Sequence, residues 1–332
     1  MRADFDVSEP GFVNDLDLTP VHCIIMGLEE ADLDQQLRFD RTLFEKADAF
    51  GRSPLHWAVI TGNVPATEIL LRNGASPRSR DKERMTPLHD LFLCPTSCQL
   101  QTCALLLDAG AEVDALDAWK RTPLRIMAGY AGADIEAIRM MLQKRADVNC
   151  RDVYGQSPVL KSIQGSLETT RLLLQHGADI QERDIYGNTT ALEAVYRDKP
   201  ETLSLLLEKG FTAIEPFQLK PGRQYRDGPS YFLDFVLWHG NLEVMRVVDK
   251  AMSCDEVHST LQLHYPNDDN FEDLKVFRQA NGRRVEVDEK EAFHRILSKV
   301  RLRETHNLET EAEVFFDAAE EKSDIGGCIC CI

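Results

Sequence analysis

Three cysteines crowd the end of the chain, in Gly326-Gly327-Cys328-Ile329-Cys330-Cys331-Ile332, and they are its densest group of reactive side chains. Thiolates act as nucleophiles, soft-metal ligands and acyl acceptors. A prenylation box places its cysteine four residues from the end, where this chain has Ile329. S-acylation sets no such spacing. Metal or redox chemistry is a second reading, although no fourth ligand for a tetrahedral site is in sight; the third is that the cluster does nothing specific. Upstream, Cys94-Pro95-Thr96-Ser97-Cys98 lacks the second Cys pair of a zinc site and reads as an inserted loop. The nine cysteines are scattered, and the opening Met1-Arg2-Ala3-Asp4-Phe5-Asp6 is acidic rather than a signal peptide. Both features fit reduced thiols in an intracellular, cytoplasmic protein. P-loop, H-E-x-x-H, G-x-S-x-G and kinase signatures are missing, so neither an enzyme nor a cofactor is expected.

Histidine is the other residue type suited to acid–base work, and His22, His56 and His89 share one local phrase. Thr19-Pro20-Val21-His22, Ser53-Pro54-Leu55-His56 and Thr86-Pro87-Leu88-His89 are followed by the variants Thr122-Pro123-Leu124-Arg125 and Ser157-Pro158-Val159-Leu160. The prolines stand at 20, 54, 87, 123 and 158, intervals of 34, 33, 36 and 35 residues. Proline suits the first turn of a helix, where its missing N–H loses no partner, and Ser or Thr before it caps the orphan amides. Apolar triplets recur downstream, Ile69-Leu70-Leu71, Leu105-Leu106-Leu107, Met140-Met141-Leu142, Leu172-Leu173-Leu174 and Leu205-Leu206-Leu207. Gly follows each helix, except that Arg145 takes its place once. A left-handed residue is expected there, so Arg145 predicts either a distorted turn or a cost of roughly 1 kcal/mol. One such helix pair cannot bury both its faces, so the units must stack.

A period near 33 residues with a T-P-L-H-x-A core resembles the ankyrin-repeat family. The resemblance implies an all-α solenoid of helix-turn-helix units with β-hairpin fingers, here with a C-terminal acidic extension. It implies a surface for other proteins in place of a catalytic pocket. It also implies that the three histidines hydrogen-bond between neighbouring units. Units two to six begin at Asp48, Asp81, Asp117, Asp152 and Asp184. The expected organisation is an N-terminal arm (1–16) and an array of about seven units (17–250). The first and last units are degenerate caps, and an irregular insertion occupies 212–229. A partly helical extension (251–307) and an acidic tail with the cysteine cluster (308–332) follow.

Family contact surfaces run along the finger tips and inner helices. Carried over unit by unit, the residue before the finger glycine is Phe50, Trp119, Tyr154 or Tyr186, with Glu83 as the departure in unit three. Two positions further on stand Arg52, Arg121, Gln156 and Asn188; inner-helix ends add Tyr130, Tyr196 and Arg197. Aromatics and Arg dominate interface energetics, so an aromatic row points to a protein partner. For any one of these rings the alternative is that it props up its own finger. Arg78, Arg80, Lys82 and Arg84 alternate along one finger, which places them on one side if it is extended, with Lys120, Arg121 and Arg151 on the next fingers. That basic spot could meet an acidic peptide segment, lie solvated, or dock the chain's own tail.

The net charge of −17 argues against a nucleic-acid partner, and no oligomer is implied. The expected function is a non-enzymatic adaptor or scaffold. The alternatives are a membrane-tethered adaptor acylated at Cys328, Cys330 and Cys331, and a regulatory subunit or assembly chaperone of an enzyme complex. The tethered form has a direct test. The chain incorporates a palmitate analogue and sediments with membranes, and changing the three cysteines to Ser abolishes both. An unlabelled, wholly soluble wild type contradicts it.

Overall fold

The structure, a computed structural model, describes residues 16–39, 41–211 and 240–251, with single positions at 236, 288, 291, 292, 295, 296 and 298. The N-terminal arm, the insertion at 212–229, the start of the seventh unit, most of the extension, the acidic tail and the cysteine cluster lie outside the described residues. Two compact units divide the chain, Met1–Glu193 and Ala194–Ile332.

The first unit is a run of paired helices. They are α1 (Pro20–Ile25) and α2 (Leu33–Phe39), α3 (Pro54–Ile60) and α4 (Val64–Arg72), then a 3-10 turn (His89–Phe92) and α5 (Thr96–Asp108). α6 (Pro123–Ala128) and α7 (Ile135–Gln143) follow, then α8 (Pro158–Ser162) and α9 (Leu167–Gln175). α1, α3, α6 and α8 each start at their proline, and the hydroxyls of Thr19, Thr122 and Ser157 accept the backbone N–H three residues on. The paired helices share one continuous core from Val21 to Leu173, in which Leu55, Leu70, Leu106, Ile138 and Met141 are wholly buried. Burying such a side chain stabilises by about 1.5–3 kcal/mol. No single unit has enough of them to fold by itself. Among the described residues no strand is assigned, so the fingers are tight turns rather than hairpins with a ladder.

Two sequence expectations need correction. Cys94–Cys98 does not form an inserted loop: Pro95 is the N-cap of α5, and Thr96 to Cys98 lie in its first turn. The side-chain amide of Gln99 ties that turn down by donating to the Cys94 carbonyl at 3.0 Å. Burial pushes the Cys94 thiol up to about 11 and that of Cys103 to about 12, so both stay protonated and unreactive. In unit one the charged stretch from about Asp34 to Lys46 reads in the sequence as one second helix, but α2 ends at Phe39 and a separate 3-10 turn, Arg41–Phe44, follows.

The second compact unit holds the end of α10 (Thr190–Tyr196), α11 (Pro200–Glu208) and α12 (Leu242–Ala251). α11 and α12 pack together, and Leu203 and Leu206 on the one and Val244 and Val248 on the other are fully buried.

Arg145 resolves the choice between distortion and strain. Its φ is +66°. The turn keeps its bonds, Arg145 N–H to Leu142 O at 3.0 Å and Ala146 N–H to Met141 O at 3.0 Å. These match Gly74 N–H to Leu71 O at 3.1 Å and Ala75 N–H to Leu70 O at 3.0 Å. The backbone therefore holds its shape and the side chain bears the strain. Arg145→Gly raises stability by about 0.5–1 kcal/mol in urea unfolding; an unchanged or lowered midpoint contradicts this.

Candidate functional site

Five aspartates build the fingers. Asp48 Oδ1 accepts the N–H of Phe50 and of Arg52, both at 2.8 Å. Asp81 does the same for Glu83 and Met85, Asp117 for Trp119 and Arg121, Asp152 for Tyr154 and Gln156, and Asp184 for Tyr186 and Asn188. All five carboxylates are buried. A carboxylate accepting two amides fixes four residues in one geometry, so each tip is held rigid.

Adjacent tips are then joined by one backbone bond each. Lys82 N–H donates to Phe50 O at 3.0 Å and Ala118 N–H to Glu83 O at 2.9 Å. Val153 N–H donates to Trp119 O at 3.0 Å and Ile185 N–H to Tyr154 O at 3.0 Å. The five tips form one continuous line.

The histidines complete the frame, as the resemblance implied. Their Nδ1 atoms accept the N–H of Thr19 (3.1 Å), Ser53 (3.1 Å) and Thr86 (3.0 Å). That leaves Nε2–H to donate to the next finger, at Arg52 O (3.3 Å), Met85 O (3.2 Å) and Arg121 O (3.0 Å). All three rings are buried, and burial lowers their proton affinity, that of His56 to about 4. They are neutral bridges. In unit four Arg125 stands in the histidine's place and reaches across to Asp152 and, at 2.9 Å, to Gln156 Oε1.

On this frame the expected contact residues divide. Phe50 (47% exposed), Tyr154 (44%) and Tyr186 (38%) project from the tips. Trp119 is half-buried beneath the guanidinium of Arg121, 4.5 Å from its ring centre. Arg121 is anchored to Asp117 at 2.6 Å, Gln156 to Asp184 at 3.4 Å and Asn188 to Asp184 at 3.0 Å. Arg52 lies over the Phe50 and Trp57 rings at 5.8 and 5.7 Å. These four side chains brace the fingers. Tyr130, half-buried just past α6, packs edge-on to Phe92 at 6.2 Å. Tyr196 and Arg197 are exposed and belong to the second compact unit.

The basic strip is not a one-sided row. Arg78 donates to Gly110 O at 2.8 Å and Arg80 to Leu116 O at 2.6 Å, and both approach Glu112, at 3.4 and 3.7 Å. They clamp unit two to unit three. Arg151 is likewise paired with Glu182 at 3.0 Å. Lys82, Arg84 and Lys120 remain exposed, with no ion pair among the described residues.

One polar residue went unread in the sequence. Asp90 fills the position that Trp57 holds in unit two, where the indole N–H donates to Asp48 Oδ2 at 2.8 Å. Asp90 is fully buried and neither of its oxygens has a hydrogen-bond partner among the described residues. Desolvation pushes its carboxyl up to about 8, Arg52 opposing and Asp81, Glu83 and Asp48 assisting. The signal available was an acid directly after the motif's histidine, between Leu88 and Leu91.

The comparisons with known proteins agree with this geometry. Residues 21–117, 91–184 and 124–216 match the model for ankyrin repeats, which together is more than half of the chain. The protein belongs to the ankyrin-repeat family, whose repeats mediate binding to other proteins. It is 29% identical over 145 residues to a transient receptor potential cation channel subfamily A member 1 homolog of Caenorhabditis elegans, covering 44% of this chain and 12% of that protein. With the transient receptor potential channel pyrexia of Drosophila melanogaster it shares 33% over 117 residues, 34% of this chain and 11% of the relative. It thus spans about a tenth of the length of these relatives. It is 32% identical over 116 residues to the cyclin-dependent kinase 4 inhibitor B of Mus musculus, covering 33% of this chain and 86% of that protein. The crystal structure of the ankyrin repeat domain of Bcl-3 superposes with a TM-score of 0.52 and 23% identity, over 60% of this chain and 90% of that domain. At that identity the likeness is one of fold.

Asp90 gives the frame a measurable pH dependence. Below about pH 4 its carboxyl is neutral in folded and unfolded chains alike. Between there and about 8 the unfolded chain ionises while the folded one keeps its proton, so this residue's contribution to stability falls with rising pH and levels off above 8. His56 acts oppositely, its contribution falling as pH drops from about 6.5 towards 4. Asp90→Asn raises stability at pH 8 by roughly 1–3 kcal/mol and flattens the decline between pH 5 and pH 8. A variant with the wild-type slope contradicts this assignment.

Proposed function

We propose that the protein is a non-enzymatic adaptor or scaffold that grips a partner protein along the finger tips and the adjoining inner-helix ends. The observation carrying this reading is the line of tips itself. Aspartate turns and inter-unit bonds hold it rigid, yet it presents Phe50, Tyr154 and Tyr186 to solvent beside the half-buried Trp119. Rigid aromatics bind at low entropic cost, and nothing in the packing of the core requires them at the tips.

A second reading is favoured by one comparison. The match to the cyclin-dependent kinase 4 inhibitor B runs over 86% of that protein, so this segment corresponds to nearly all of a protein named for inhibiting a kinase. On this reading the chain is a regulatory subunit and the gripped partner is an enzyme. A tethered form through Cys328, Cys330 and Cys331 is compatible with either. Among the described residues no helix is long and apolar enough to cross a membrane.

The test is affinity capture with the full chain, set beside a Trp119→Ala/Tyr154→Ala variant. The double variant loses several-fold to a hundredfold in affinity for the captured partner, since buried interface aromatics contribute about 2 kcal/mol or more. Its unfolding free energy stays within about 1 kcal/mol of wild type, because Tyr154 is exposed and the half-buried Trp119 lies outside the shared core. Normal binding by the variant contradicts the assignment. A captured enzyme whose turnover drops on binding selects the regulatory reading.

A further inference from the structure

The third residue after each of the five finger aspartates adopts a left-handed backbone. Gly51, Gly155 and Gly187 meet that demand with φ of +80°, +71° and +81°. Units three and four do not: Arg84 and Lys120 occupy the same position with φ of +61° and +58°. A side chain there is strained by its backbone, and at two of the glycine tips it would also crowd the next finger. A Cβ on Gly51 would come within 2.9 Å of the Lys82 backbone nitrogen, and one on Gly155 within 3.2 Å of that of Ile185. Both cations are exposed and neither has an ion-pair partner among the described residues, so no ion pair there offsets the strain. Strained backbone of this kind clusters at ligand clamps and binding sites, and here it falls on the line of tips.

The tips of units five and six have the opposite character. Each carries two neighbouring large apolar side chains, Val153 (42% exposed) with Tyr154, and Ile185 (51%) with Tyr186. The line of tips therefore changes along its length. Lys82, Glu83, Arg84 and Lys120 give the tips of units three and four a cationic surface in a chain of −17, and the tips of units five and six are apolar.

From this we infer that the partner presents an extended segment with two halves. Asp or Glu carboxylates cross units three and four, and aliphatic or aromatic side chains cross units five and six. The inference rests on the finger-tip reading above and adds the chemistry of the partner and its direction along the row. Charge complementarity fixes the register of such a segment, and apolar burial supplies its affinity.

Photo-crosslinking with the full chain in cells tests it. The benzophenone amino acid replaces Glu83 in one variant, Tyr154 in a second and Tyr186 in a third, and crosslinked peptides are sequenced by mass spectrometry. One partner segment is expected from all three positions, rich in Asp and Glu at 83 and apolar at 154 and 186. Restoring the finger glycines, Arg84→Gly with Lys120→Gly, is expected to raise the unfolding midpoint, yet cut crosslinking at 154 at least tenfold. High salt acts likewise on the wild type. A non-acidic peptide, a phosphopeptide or a nucleic acid crosslinked at 83, or full crosslinking by the glycine variant, overturns this inference and leaves finger-tip binding standing. The absence of protein crosslinks at all three positions overturns both.

Discussion

Everything in the array depends on one shared acceptor, the carbonyl four residues after each finger aspartate. At Arg52, Met85 and Arg121 this oxygen accepts the N–H of its own aspartate, at 2.9, 3.0 and 3.1 Å, and the imidazole Nε2–H of the preceding unit. Both its lone pairs are used inside the fold, which satisfies a buried polar group and locks two units in register at once. The aspartate Oδ1 fixes the tip, the carbonyl fixes its neighbour, and the apolar helices close around them. Where Arg125 replaces histidine, a buried ion pair with Asp152 takes over. Breaking such a pair from one side leaves an uncompensated charge. The fourth junction is therefore the most sensitive to substitution of its bridging residue.

The period of the prolines and the apolar triplets made the fold legible, because helix starts and stops follow local rules that any unit must obey. The duty of His22, His56 and His89 was legible through the family resemblance. Side-chain partners across a unit boundary were not. Arg78 and Arg80 look like free cations in sequence, and only the position of Glu112 some 30 residues on shows them to be clamps. The Cys94–Cys98 stretch carries a proline that reads as a loop, yet proline is equally at home at the start of a helix. Asp90 was missed because burial, not residue type, makes it unusual.

Four departures from the repeat pattern share a character. Arg84, Lys120 and Arg145 occupy left-handed positions that glycine fills elsewhere, and Asp90 buries a carboxyl where unit two has an indole. Each costs stability locally, and the rest of the frame is strong enough to carry it. Arg145 sits at a helix end away from the tips, and nothing in the structure explains its retention. Arg84 and Lys120 lie on the line the partner is proposed to follow, where a cost in folding is met by a gain in recognition.

The central claim is that the line of finger tips is the binding surface. Amide hydrogen exchange of the full chain, free and saturated with its captured partner, tests that claim most directly. Slowed exchange is expected in the fingers, at 48–52, 81–85, 117–121, 152–156 and 184–188, with α4, α5, α7 and α9 unchanged. Protection confined to those second helices, with the fingers exchanging as in the free chain, would contradict it.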